Sequence, residues 1–205
     1  MAIRSNDARW GAIARSLHWI IFVLIAIAAT VGLIMVELPK RPNIIPVYSF
    51  HKSIGLTVLA LAVLRLLWRL FDRRPREPAM PAWQHWASRL VHGALYVLIF
   101  AIPLSGWLFD SAGGLRPLRW FGLFEVPKLL APNDDVEDIA EVLHEALFWV
   151  LAAAVVLHVG GALKHHFVDR DDVLARMLPW RTRRLREPAA AEPPGPPPST
   201  PAATP

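Results

Sequence analysis

Cysteine is absent from the 205 residues. Its absence excludes disulfides, thiolate metal sites and covalent attachment of haem through Cys-x-x-Cys-His. Charge is also scarce. Charged residues make up 19% of the chain against 54% hydrophobic, and the mean hydropathy is +0.35. That is too apolar for an ordinary soluble domain and points to a small membrane protein. The net charge of +5 could suggest nucleic acid, but no RNA- or DNA-binding motif is present. The arginines sit beside apolar segments, which is a topology signal, so no nucleic-acid partner is expected.

Four segments are apolar enough, and long enough, to cross a bilayer. The first is Ile13 to Val36, read as a retained helix because it is too long for the apolar core of a signal peptide. Pro39, Pro42 and Pro46 mark Glu37 to Phe50 as a loop. The second span is His51 to Leu70, with Arg65 and Arg69 reaching the interface. The third is Leu90 to Phe109, with a kink expected at Pro103. Asp110 to Glu141 is a long connection, and its piece Leu115 to Phe124 suits the interface. The fourth span is Val142 to Leu163. After Trp180 the chain is rich in proline and alanine, a composition that builds no core. The expected organisation is a four-helix all-α membrane domain over residues 1–180 and a disordered tail over 181–205.

Positive residues set the orientation. Arg4, Arg9 and Arg15 precede or open the first span. Six arginines from Arg65 to Arg89 border the second connection, and Lys164, Arg170, Arg176 and four tail arginines follow the fourth span. The other side has Lys40, Arg41, Lys52, Arg116, Arg119 and Lys128, offset by acidic residues between Asp134 and Glu141. Both termini are therefore expected in the cytoplasm.

The chemistry lies in the histidines. His144 and His158 flank the apolar run LHEALFWVLAAAVVLH, 14 residues apart. On a helix that is close to four turns, so both imidazoles leave nearly the same face, roughly 21 Å apart along the axis. Intramembrane ionisable residues are costly and usually face a protein interior. With the orientation above, His18 lies at the depth of His158, near the cytoplasm, and His51 at the depth of His144, near the outside. Each pair joins two helices at one depth, as a bis-histidine haem requires. Zinc, copper or iron would also accept neutral imidazole, but a bare ion wants a third or fourth ligand at that depth and no suitable carboxylate or thiol is evident. Gly32, Gly55, Gly93, Gly106 and Gly160 offer backbone room for a macrocycle.

The segments RSLHW (Arg15 to Trp19), HKSIG (His51 to Gly55), VLRLLWRL (Val63 to Leu70), LHEAL (Leu143 to Leu147) and LHVGGALKHHFVDRDDVLARMLPW (Leu157 to Trp180) together resemble the bacterial cytochrome b561 family. The resemblance covers roughly residues 8 to 180. It implies a four-helix membrane cytochrome with two haems b, ligated by His18 and His158 on the inner side and by His51 and His144 on the outer side. It also implies electron exchange with the quinone pool. One branch of the family oxidises superoxide outside the membrane and reduces ubiquinone.

Other residues are read against that frame. His165, seven residues beyond His158, is the candidate proton donor to quinone, because an imidazole with an ordinary pKa of about 6.5 can deliver protons near neutrality. His166 shares that inner boundary. His92 is placed beside the inner haem as a supporting or packing residue, and His85 in a loop. Arg15, Lys52 and Lys164 are candidates for pairing with haem propionates, with snorkelling as the alternative. Two further functions stay open: an electron-carrying subunit docked on a separate dehydrogenase or soluble cytochrome, and a haem-free metal-binding or transport protein.

Overall fold

The computed structural model describes residues 3–39, 41–76, 80–114 and 116–178. Lys40, Leu115, Trp180 and the tail 181–205 lie outside the described residues.

Four long helices dominate: α1 Ala12–Glu37, α2 Ile45–Phe71, α3 Ala82–Gly113 and α4 Asp134–Lys164. All four are long and apolar enough to span a membrane. The protein is an all-α integral membrane bundle. α1 packs on α2, α2 on α3, and α3 on α4.

Three helices begin earlier than sequence reasoning expects. α2 starts inside the proline-rich loop because Pro46 occupies its first turn, where a missing N–H costs nothing. α3 starts at Ala82 immediately after Pro81, so His85 belongs to a helix rather than to a loop. α4 starts in the acidic run. The Asn133 side chain accepts from the Val136 N–H at 3.0 Å, and Asp134, Asp135 and Glu137 fill the first turn, where carboxylates favour the positive end of the helix dipole. α3 continues through the buried Pro103.

Two small buried clusters lie between the histidine levels. Ile21 of α1 meets Ile54 and Val58 of α2. Leu98 of α3 meets Leu151 and Ala154 of α4. Ile25 touches both clusters and ties the two helix pairs together. Most other large apolar side chains, such as Ile20, Leu67, Val97 and Val156, face outward, as a lipid-facing surface requires.

The long α3–α4 connection contains a short hairpin. Arg119–Trp120 (β1) and Phe124–Glu125 (β2) form an antiparallel hairpin. Phe121 and Gly122 both have positive φ at its tip, the geometry of a type I′ turn. The hairpin is pinned to α2: the Phe121 N–H donates to Ser53 Oγ at 2.9 Å, and Trp120 Nε1–H donates to Thr57 Oγ1 at 3.0 Å.

The opposite end of the bundle, where residues 3–11 and 170–178 meet, is closed by polar contacts. Ser5 is buried and its N–H and Oγ–H both donate to Asp72, at 2.9 and 2.5 Å. Ser5 Oγ also accepts from the Gly11 N–H at 2.8 Å. Arg9 and Arg15 both donate to the Leu178 carbonyl, at 2.8 and 2.9 Å, and Trp19 Nε1–H donates to the Met177 carbonyl at 2.9 Å. The second of these segments contains α5, Val173–Met177, and follows directly on a π-helical turn, His165–Asp169. Hydrogen bonds to a charged acceptor contribute about 1.5–3 kcal/mol each. Asp72→Ala is therefore expected to release residues 3–11 and leave α1 to α4 in place. Hydrogen–deuterium exchange should show lost protection confined to residues 3–11, with Asp72→Asn intermediate.

Candidate functional site

The structure brings the four histidines singled out from the sequence into two pairs. His18 on α1 faces His158 on α4, with ring centres 6.1 Å apart. His51 on α2 faces His144 on α4, with ring centres 6.2 Å apart. Two imidazoles bound to opposite sides of one metal, each at roughly 2 Å, have ring centres about 6 Å apart. Both pairs match that spacing.

The pair His51 and His144 has its tautomers set by the backbone. His51 Nδ1–H donates to the Ala28 carbonyl on α1 at 3.0 Å. His144 Nδ1–H is shared between the Ile102 carbonyl and Ser105 Oγ on α3, each at 3.0 Å. With Nδ1 protonated and committed, the neutral ring offers its Nε2 lone pair, the state a metal ligand needs. The donor chemistry therefore fits a bis-histidine haem at this level. Sequence reasoning missed Ser105 and the two carbonyls, because backbone acceptors carry no residue signature.

Glycine makes room beside the same rings. A Cβ at Gly106 would lie 2.9 Å from His144 Cε1, and one at Gly32 would lie 3.1 Å from His51 Cε1. Both are tighter than ordinary van der Waals contact. Gly55, Gly93 and Gly160, the other glycines expected to give room, meet nothing within 4 Å.

At the other level three imidazoles gather. The His92 ring centre lies 5.0 Å from that of His158 at an interplanar angle of 82°. His92 Nδ1–H donates to the Ser88 carbonyl at 2.7 Å.

The cations expected near propionates are engaged with the protein. Arg15 is buried and donates to the Leu178 carbonyl. Lys52 pairs with Asp110 near the C-terminal end of α3. Lys164 pairs with Asp169, at 2.8 and 2.7 Å to its two oxygens.

His165 does not simply continue the face of His158, because α4 gives way to the π-helical turn at that residue. Arg170, with φ of 55°, then reverses the chain and returns Asp171 to the imidazole. His165 Nδ1–H donates to Asp171 Oδ2 at 2.7 Å, with Asp169 Oδ2 at 3.2 Å. The carboxylates fix the tautomer and leave Nε2 as the basic nitrogen. His166 stacks edge-on against Phe167. The repeated aspartates of HHFVDRDD were the available signal for this arrangement, but helical spacing alone could not bring them back to His165.

Residues 9–180 match the family described as prokaryotic cytochrome b561. The chain belongs to the prokaryotic cytochrome b561 family. It is 37% identical over 186 residues to cytochrome b561 homolog 2 of Escherichia coli (strain K12), covering 87% of this chain and 95% of the relative. It is 29% identical over 170 residues to cytochrome b561 homolog 1 of the same strain, covering 80% and 94%. A protein of Yersinia pestis named probable superoxide oxidase CybB is 28% identical over 166 residues, covering 80% and 92%. Membership of the cytochrome b561 family makes this a bacterial multi-pass membrane protein of electron transfer and implies binding of b-type haem.

Gly106→Ala is expected to push the His144 ring off its Ile102 and Ser105 partners and weaken haem retention by about tenfold or more, the usual scale for disturbing a ligand's support. Gly32→Ala should act in the same direction but less. Haem content by pyridine haemochrome assay after dilution and washing ranks the two.

Proposed function

We propose that this chain is a dihaem b cytochrome that carries electrons across the bacterial inner membrane to a quinone, with superoxide as the donor on the outer side. The observation that carries the reading is the pair of histidine couples, 6.1 and 6.2 Å between ring centres, attached to α4 at positions 14 residues apart. His18 and His158 hold the inner haem, and His51 and His144 the outer one. Both termini face the cytoplasm, in keeping with the arginines at the end where residues 3–11 and 170–178 meet. Residues 1–180 form the functional unit, and the tail 181–205 takes no part in it. Support for superoxide comes from the name of the Yersinia pestis relative.

When bound, the two haems supply one-electron carriers at two depths. The chain's own residues do the rest. Ala28, Ile102 and Ser105 orient the outer imidazoles so that each offers Nε2. The core clusters between the levels exclude water from the path. At the inner end, His165 takes up a proton at Nε2 and passes it to a quinone, with Asp171 and Asp169 fixing its ring through Nδ1–H. The overall balance is two superoxide ions oxidised to two molecules of dioxygen, with one quinone and two protons converted to quinol.

Stopped-flow spectroscopy tests the reaction. Superoxide should reduce the haem, and added ubiquinone should reoxidise it, with two superoxide ions consumed per quinol formed. His165→Ala should leave reduction intact and slow reoxidation about tenfold or more, the low end of the range for a general acid. Haem that superoxide fails to reduce, but that a co-purifying redox protein does reduce, would replace this reading with that of a docked electron-transfer subunit. Unchanged reoxidation would remove His165 from the quinone site.

Ligand pairing has its own check. His18→Ala and His158→Ala should lose the same spectral component, and His51→Ala and His144→Ala the other. Loss of one shared component in the His18 and His51 variants would overturn the pairing.

A further inference from the structure

α3 supports the α4 histidine at both levels, but by different means. At the outer level its Ile102 carbonyl and Ser105 hydroxyl take the Nδ1–H of His144. At the inner level His158 has no hydrogen-bond partner among the described residues, and α3 presents His92 beside it. The chemistry of His92 is defined by its other contact. The Ser88 carbonyl can only accept, and it lies 2.7 Å from His92 Nδ1. That nitrogen therefore carries the proton, and in the neutral ring Nε2 is left with a lone pair and no hydrogen. Two imidazoles joined by an N–H···N bond of about 2.9 Å have ring centres roughly 5 Å apart. The separation of His92 and His158 is 5.0 Å.

We infer that His92 is the positioning residue of the inner haem site: its Nε2 accepts the Nδ1–H of His158, completing a Ser88–His92–His158 chain that leaves His158 Nε2 for the metal. The rings stand edge to face at 82° in this structure, and the bond requires the His158 ring to turn its Nδ1 toward His92. The inference rests on the reading above that His158 is a haem ligand. It gives the inner ligand what the outer ligands receive from the backbone, a fixed tautomer and a more basic ring nitrogen. A more basic ligand favours the ferric state, so His92 lowers the potential of the inner haem. A side-chain acceptor also differs from a carbonyl in being replaceable, which makes the effect separable from the fold.

The test uses the full-length protein in lipid nanodiscs and follows each haem by potentiometric titration. His92→Phe keeps a ring but removes the acceptor. His92→Gln restores one as an amide oxygen. His92→Phe should retain two haems and raise the reduced-to-oxidised ratio of the inner haem at fixed ambient potential by about tenfold, the low end of the range for losing such support. His92→Gln should bring it back most of the way, and the outer haem should not change. An unchanged inner haem, a shift on the outer haem, or equal shifts for Phe and Gln would overturn the proposal, the last by showing a packing role. A His158→Ala arm tests the reading beneath it. Loss of the inner haem there upholds His158 as ligand. Retention there, with loss in the His92→Ala/His158→Ala double variant, would make His92 a ligand and overturn both. Loss of the inner haem in His92→Phe alone would overturn the positioning role.

Discussion

A straight helix returns to the same face after 14 residues, and this constraint organises the molecule. α4 carries His144 and His158 at that spacing, so one rigid element holds one member of each couple and fixes the distance between them. α1 and α2 each need to bring only one imidazole, His18 and His51, to a level that α4 has already defined. α3 brings the supporting groups, because it packs along α4 past both levels.

That division leaves little room for a conventional core. Two small clusters of buried apolar side chains lie between the levels, joined through Ile25. Lipid does elsewhere what a larger core would do in water, since the outward faces of all four helices are apolar and no solvent penalty opposes their exposure there. Polar groups are concentrated where the bundle meets water. At one end the hairpin is tied to Ser53 and Thr57 of α2, and Lys52 pairs with Asp110. At the other, Asp72 and the Leu178 carbonyl gather the terminal segments.

The two levels differ in their support. Backbone carbonyls of Ala28 and Ile102 are rigid, because each also belongs to a helix. The third imidazole at the inner level is a side chain with its own rotamers. The two histidine couples therefore sit in different hydrogen-bonding fields. The π-helical turn after α4 has a similar consequence for His165. It breaks the regular face and lets the aspartates after it, not the helix before it, decide what the ring faces.

The sequence by itself determined the class of the protein and its layout. Four apolar runs demanded four membrane helices, since no other open-chain structure satisfies its backbone in lipid. The spacing of His144 and His158 determined that two levels exist, and the arginine asymmetry determined which of His18 and His51 shares each level. The periodicity of a helix carries such information because it is local. Helix starts were less legible: Pro46 and Pro81 read as breakers, but each stands where a helix tolerates the missing N–H. Only the tertiary structure decided what each imidazole's second nitrogen meets. Ala28, Ile102, Ser105 and Asp171 become partners through packing between helices and a chain reversal at Arg170. Such contacts join residues remote in sequence, or close but off the helical register, and often through backbone atoms that every residue has, so no pattern of side chains along the chain could announce them.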